Sequence, residues 1–229
     1  MRCCYIVAAA GVGKRMGLGY PKQFLEYRGR PLFITTVEKI AASKKVEKIV
    51  VVTNEENIES VKENIKKYIL DINFEVVSGG KERQDSIYNG LKLIENEGFD
   101  YVAVHDGVRP FITERYIEES IDILEKNREI DGVVVGVKVK DTIKIIDKHG
   151  NIESTPDRNI LIAAQTPQLF RFDKLKIAYE KAFEIGFYGT DDSSLVERCG
   201  GVVTVLEGSY ENIKITTVED LKHLEEAKV

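Results

Sequence analysis

No aspartate or glutamate occurs before Glu26, although the 229-residue chain carries 38 acidic residues. The stretch from Ala8 to Phe24, AAAGVGKRMGLGYPKQF, therefore holds four glycines and three cations with no counter-charge of its own. Cysteine is scarce: Cys3, Cys4 and Cys199 form an odd set without metal-ligand spacing, and the first two read as small apolar residues of a buried strand. Histidine is scarce too, with His105 inside an apolar run, His149 in a turn and His223 near the end, none of them in a nucleophile motif. No apolar run approaches the roughly 18 residues of a membrane span, and no signal peptide is visible, so a reducing cytoplasm and no membrane partner are expected. A net charge of −5 argues against bulk nucleic-acid binding, which needs a basic face, and makes a local basic loop more informative.

What is present is a full core's worth of apolar residues, 43% of the chain, arranged in short runs. Residues 3–9, 48–53, 74–77, 101–105, 132–139 and 202–207 read as strands, several apolar on both faces as in a parallel sheet covered on both sides. Amphipathic segments lie between them: Ile58, Val61, Ile65 and Ile69; Ile87, Leu91 and Ile94; Ile117, Ile121 and Leu124. Thr113 and Thr217 read as helix N-caps. Alternating strands and helices predict an α/β, Rossmann-like, doubly wound and mostly parallel sheet, with ligands beyond the carboxyl ends of its strands. No repeat or linker divides the chain, so one domain over 1–229 is expected.

Residues 140–158, KDTIKIIDKHGNIESTPDR, alternate like a strand, turn near KHGN and return. No helix follows closely enough to cover Ile143, Ile145 and Ile152. An uncovered hairpin is marginal alone, so residues 138–160 are expected to form a protruding β-hairpin arm that grips a second subunit as a homodimer. A hairpin folded back on its own domain is the alternative.

The basic loop is neither a dinucleotide fingerprint, because Met16 stands where a third glycine belongs, nor a P-loop, because no Gly-Lys-Ser/Thr follows. Glycines that expose backbone N–H groups beside Lys14, Arg15 and Lys22 suit a polyphosphate, with a solvated basic loop as the bland alternative. GGKERQDS (79–86) places two glycines between a strand and a helix starting near Arg83, a turn that can hold a base or sugar. VHDGVRP (104–110) puts Asp106 at the end of a buried strand, where it can hold Mg²⁺ or form an Asx turn. GTDDSS (189–194) reads as a helix N-cap with acids in the first turn, and ENIKITT (211–217) as a short strand bearing Lys214.

AAAGVGKRM, PKQF, GGKERQDS, VHDGVRPF, VKDTIK, DRN, QTPQLF, GTDDSSLVE and EGSYENIKITT, in this order, resemble the blocks of the 2-C-methyl-D-erythritol 4-phosphate cytidylyltransferase family over essentially the whole chain. The sister ribitol-5-phosphate cytidylyltransferases usually open Leu-Ala-Gly-Gly and carry Asn-Glu at the second block; this chain has Ala8-Ala9-Ala10-Gly11 and Gln84-Asp85. Val108 is shared with the ribitol branch, and Lys81 stands where an acid is common. The resemblance implies cytidylyl transfer from CTP to 2-C-methyl-D-erythritol 4-phosphate, giving the CDP-alcohol and pyrophosphate, with Mg²⁺ or another divalent cation. It implies that Arg15, Lys22 and Lys214 are catalytic, and that Ala9, Ala10, Gly11, Gly13, Lys14, Gly80, Lys81 and Ser86 bind the nucleotide. It places Asp106, also the metal ligand, with Arg109, Thr166 and Thr190 on the substrate side, and Thr142 and Arg158 in the site of a partner subunit. A ribitol-5-phosphate enzyme and a non-catalytic nucleotide-binding subunit are the alternatives.

Overall fold

The computed structural model describes residues 1–11, 22–69, 71–217 and 219–226. The apolar runs become β1 (Cys3–Ala8), β4 (Lys48–Thr53), β5 (Asn73–Ser78), β6 (Tyr101–Asp106), β7 (Gly132–Lys138) and β11 (Val203–Glu207). With β10 (Ile162–Arg171) they form a seven-stranded sheet in the order β11-β7-β10-β6-β1-β4-β5. All neighbours are parallel except β10, which runs antiparallel to both β6 and β7. The remaining strands are two-residue β2 (Glu26–Tyr27) and β3 (Arg30–Pro31), and the paired β8 (Ile145–Ile146) and β9 (Ile152–Ser154).

The alternation of side chains along β1 divides the core. Cys3, Tyr5 and Val7 face a layer containing α1 (Leu32–Ala41), α2 (Ile58–Tyr68) and α4 (Glu114–Lys126). Cys4 and Ile6 face α3 (Arg83–Ile94), α5 (Phe172–Glu184) and α6 (Asp192–Arg198). A period of two in the strands and of 3.6 in the helices thus yields two apolar seams on one doubly wound sheet. The last described element, α7 (Leu221–Glu226), packs Leu224 with Leu32, Val108 and Ile215 in a third small cluster. No helix among the described residues is long and apolar enough to cross a membrane.

The register fixes one functional edge. Ala8 pairs with Asp106 and with Val52, and Thr53 with Ser78, so β1, β4, β5 and β6 end together. The strand order reverses around β1, and the loops beyond its carboxyl end sit at the switch point where open α/β sheets bind ligands. Because β10 runs the other way, its beginning, rather than its end, reaches that edge and sets Thr166 beside Asp106.

Several expectations are corrected. The sequence pattern does not predict β10; its ladder is interrupted between Ala164 and Gln168 around Pro167, which has no N–H to give. Nor does it predict α1 or α5. Lys214 does not lie on a strand: residues 211–217 form no ladder, and their backbone bonds go to loops, as in Ile215 N to Val108 O at 2.9 Å. Thr113 occupies the N-cap of α4 without a side-chain bond. Thr217 lies four residues before α7, which begins at Leu221; the Asp220 carboxylate accepts from the N–H groups of Thr216 and Thr217 and organises that turn instead. The hairpin is present but short, pairing Ile145 with Ser154 and Ile146 with Ile152. Asp147 closes its turn by accepting from His149 N and Asn151 N. Ile143, Ile145 and Ile152 are 39%, 47% and 64% exposed, so none of the described residues covers the stripe.

Candidate active site

Two strand-to-helix loops build one wall. After β1, Ala9 N donates to Val52 O at 2.8 Å and Gly107 N donates to Ala8 O at 3.0 Å, which pins the start of the alanine run to both neighbouring strands. After β5, Gly79 N donates to Thr53 O, and Gly80 N donates to Ser86 Oγ at 3.0 Å. Ser86 Oγ in turn donates to Glu82 O. A Cβ on Gly80 would lie 2.3 Å from Asp85 Cβ, so only glycine lets this turn fold against the helix it precedes. Between the loops lies a cleft of about 430 Å³, within the range of small-molecule sites. Ala8–Gly11 and Gly80–Arg83 with Ser86 form two sides, and Gln23, Asn54, Asp106, Val108 and Lys214 complete it.

Asp106, 5% exposed at the end of β6, anchors the floor. Its Oδ2 receives Lys214 Nζ at 3.0 Å and Arg109 Nε at 3.2 Å, while Arg83 Nε lies 3.9 Å from Oδ1. Burial alone would raise the carboxyl's pKa; Lys214, then Arg83 and Arg109, outweigh it and hold the group well below the usual carboxylate range. Asp106 is thus a permanent anion at any physiological pH.

Lys214 reaches this point because its irregular segment is clamped from both sides. Arg109 Nη1 donates to Asn212 O at 2.7 Å. The fully buried Asn212 side chain donates to Thr166 O at 2.9 Å and to Gln165 Oε1 at 3.2 Å. Beneath them, Asp106 N donates to Thr166 Oγ1, which sits 3.0 Å from His105 Nδ1, and His105 Nε2 lies 3.2 Å from Arg109 O. A carbonyl only accepts, so the hydrogen is on Nε2 and Nδ1 accepts from the threonine hydroxyl. Burial pushes the His105 pKa down to about 4, and with both nitrogens engaged the ring is structural rather than a proton carrier.

A second, smaller cleft of about 180 Å³ opens on the other side of Asp106, between the start of β10 and the loop before α6. Arg109, Gln165, Thr166, Gln168, Thr190 and Asp191 line it, and it shares Arg83, Asp106 and Lys214 with the first. Asp191 caps α6 by accepting from Ser194 N, as an N-cap acid should. Two cavities that meet at a cluster of three cations can each take an anionic ligand and bring the two anions together.

Ala9, Ala10, Gly11, Gly80, Lys81, Ser86, Asp106 and Lys214 line the larger cleft, and Asp106, Arg109, Thr166, Thr190 and Lys214 the smaller. Thr142 and Arg158 line neither; both are exposed on the hairpin, where Arg158 Nη1 donates to Lys140 O at 3.1 Å. Gly13, Lys14 and Arg15 lie outside the described residues, and Lys22 opens a single 3₁₀ turn, Lys22–Phe24, with its side chain outside them. Sequence reasoning missed Arg83, Gln23, Asn54 and Asn212 as site residues. Arg83 had a signal: a cation at the first position of a helix opposes the macrodipole and calls for a reason.

A divalent cation meets a sparse protein shell here. Among the described residues no group of three or more His, Cys, Asp or Glu converges. Asp106 Oδ1 has no hydrogen bond among them and can give one ligand. One carboxylate oxygen fits a Mg²⁺ ion held mainly by phosphate oxygens and water, and does not fit a metal held by protein alone.

The sequence profile of the 2-C-methyl-D-erythritol 4-phosphate cytidylyltransferase family matches residues 3–227. The chain is 48% identical over 221 residues to the protein of that name from Fusobacterium nucleatum, covering 96% of this chain and 94% of the relative. It is 46% identical to the one from Clostridioides difficile, again over 221 residues, with 96% and 91% covered. Its fold superimposes on the crystal structure of 4-diphosphocytidyl-2C-methyl-D-erythritol synthase from Anaerococcus prevotii with a TM-score of 0.86 at 34% identity, covering 98% of this chain and 95% of that one.

Proposed function

This chain belongs to the 2-C-methyl-D-erythritol 4-phosphate cytidylyltransferase family, and we propose that it transfers the cytidylyl group of CTP to 2-C-methyl-D-erythritol 4-phosphate, in non-mevalonate isoprenoid biosynthesis. An oxygen of the alcohol's phosphate attacks the α-phosphorus of CTP. One P–O bond forms, the bond to the β-phosphate oxygen breaks, and pyrophosphate leaves. The observation that carries this reading is the junction at Asp106, where two clefts share the cations Lys214 and Arg83.

No general base is needed, since a phosphate monoester has its second pKa near about 6 and is mostly dianionic at neutral pH. The obstacle is repulsion between two anions, so the protein's work is positioning and charge neutralisation. Ala9, Ala10, Gly11, Gly80, Lys81 and Ser86 hold cytosine and ribose in the larger cleft. Gly13, Lys14, Arg15 and Lys22 hold the triphosphate, and Arg15 and Lys22 neutralise the charge that grows in the transition state. Lys214, anchored by Asp106, draws the α-phosphate and the attacking phosphate together. Arg109, Thr166 and Thr190 hold the alcohol in the smaller cleft. Val108, the residue shared with ribitol enzymes, lines the larger cleft. Asp106 would give Mg²⁺ its protein ligand, and the ion would supply further neutralisation of phosphate charge.

The exposed isoleucines support a homodimer in which the arm, residues 138–160, carries Thr142 and Arg158 into the partner's smaller cleft. The rest of 1–229 acts as one catalytic domain. Three free cysteines agree with a reducing cytoplasm as its location. The test is pyrophosphate release measured with CTP, UTP and ATP against methylerythritol 4-phosphate and ribitol 5-phosphate. CTP with the methylerythritol ester should give the highest kcat/KM, because a site of backbone groups leaves a buried partner unpaired with the wrong base, at about 1–3 kcal/mol. Preference for the ribitol ester would move the chain to the sister activity, and CTP binding without turnover would make it a nucleotide-binding subunit.

A further inference from the structure

Arg83 joins Asp106 and Lys214 in lining both clefts. It does so from the first position of α3, where a cation opposes the helix dipole. Its guanidinium is anchored on one side only. Nη2 donates to Asp192 Oδ2 at 2.7 Å, and Nε faces Asp106 Oδ1 at 3.9 Å. Among the described residues Nη1 has no hydrogen-bond partner, and the side chain is 35% exposed. Asp192 is itself completely buried, and the Tyr179 hydroxyl donates to its other oxygen, Oδ1. A buried carboxylate held from behind by a tyrosine thus fixes an arginine that lines both cavities.

From this geometry we infer that Arg83 is a further catalytic residue, whose free Nη1 edge contacts the reacting phosphates, and that Asp192 is a positioning residue that sets its orientation. The inference rests on the cytidylyl-transfer reading above. A planar, always-charged fork suits this role, since one edge is committed to carboxylates while the other meets phosphate oxygens. Burial would lower the Arg83 pKa, but Asp192 and then Asp106 raise it further, so the group keeps its charge throughout. The bland alternative is that Arg83 exists to neutralise the buried Asp192 and never touches substrate.

These alternatives separate in a double variant. Removing Arg83 alone strands a buried carboxylate and tests both roles at once. Arg83→Gln with Asp192→Asn removes both charges and leaves two neutral amides able to pair. Steady-state pyrophosphate release with CTP, Mg²⁺ and methylerythritol 4-phosphate is measured for wild type, Arg83→Gln, Asp192→Asn and the double variant, with thermal unfolding as the check on fold. Loss of a transition-state cation predicts kcat down about a hundredfold in Arg83→Gln and still down about a hundredfold in the double variant. Asp192→Asn, which keeps a hydrogen bond but loosens the aim, should lower kcat about tenfold with the KM for CTP unchanged. Return of the double variant to within about threefold of wild type would assign Arg83 to neutralising Asp192 and overturn the inference, as would a single Arg83→Gln that keeps wild-type kcat. If Arg83→Gln does not fold, the double variant, which buries no unpaired charge, decides. Absence of turnover by the wild type would overturn the parent reading, whereas wild-type turnover with unaffected variants overturns only the role of Arg83.

Discussion

At the scale of single residues, the site works by fixed charge. Lys214→Ala removes a cation that lines both clefts and leaves Asp106 with Arg109 and Arg83. We expect kcat to fall about 10²–10³-fold with the fold intact; wild-type turnover would remove Lys214 from the mechanism. His105 makes a separate, pH-dependent prediction. Its pKa is about 4 folded against an ordinary 6.5, so the unfolded chain binds the extra proton first as pH falls. Stability is therefore full above about 6.5 and declines toward pH 4, by about 3 kcal/mol in total. Asp106, held low when folded, adds a further loss only below the ordinary carboxylate range. Urea unfolding between pH 7 and 4.5 checks this: His105→Gln should flatten the slope, and an unchanged slope would contradict the assignment. The positions of Asp106 and of the Gly79-Gly80 turn at the carboxyl edge of the sheet were legible because each ends or follows an apolar strand, whereas Lys214 entered only through the family resemblance, since a lone lysine in an irregular segment carries no pattern of its own. Arg83 and Asn212 were not, because what matters about them is which distant group they reach: Asp192 in one case, Thr166 and Gln165 in the other.

At the scale of elements, legibility followed burial. β1, β4 and β6, apolar on both faces, emerged from the sequence nearly residue for residue. β10 did not, because Gln165, Thr166 and Gln168 put polar side chains in a central strand, and Pro167 breaks its ladder. Those same polar residues reappear in the wall of the smaller cleft, so the local rule failed at a place where the chain serves function rather than packing. The alternation in residues 211–217 misled for the opposite reason: Ile213 and Ile215 do join a small apolar cluster, but through a loop clamped to Val108 rather than a ladder. Gly80→Ala tests the second loop. The added Cβ would collide with Asp85, whose side chain holds Glu82 N at 2.8 Å, so the turn must shift. The KM for CTP should rise about tenfold or more, and an unchanged KM would show that the loop does not contact nucleotide.

At the scale of the whole molecule, the uncovered hairpin and the two clefts suggest a two-fold pair in which each arm completes the other body's site. Lys214→Ala damages a body and Arg158→Ala an arm. When the two variants are unfolded together and refolded, half the dimers are mixed and half of their sites are sound, so activity should return to about a quarter of wild type. No recovery in proven mixed dimers would show that each arm serves its own chain. The central claim is direct displacement at the α-phosphorus of CTP, by a phosphate that needs no enzyme nucleophile; His105, next to Asp106, is buried with both nitrogens bonded. The stereochemical course at phosphorus tests it most directly. One diastereomer of CTP carrying sulfur on the α-phosphate is turned over with methylerythritol 4-phosphate, and the configuration of the product is determined. A single in-line attack gives inversion; retention would mean a covalent cytidylyl-enzyme and would contradict the mechanism.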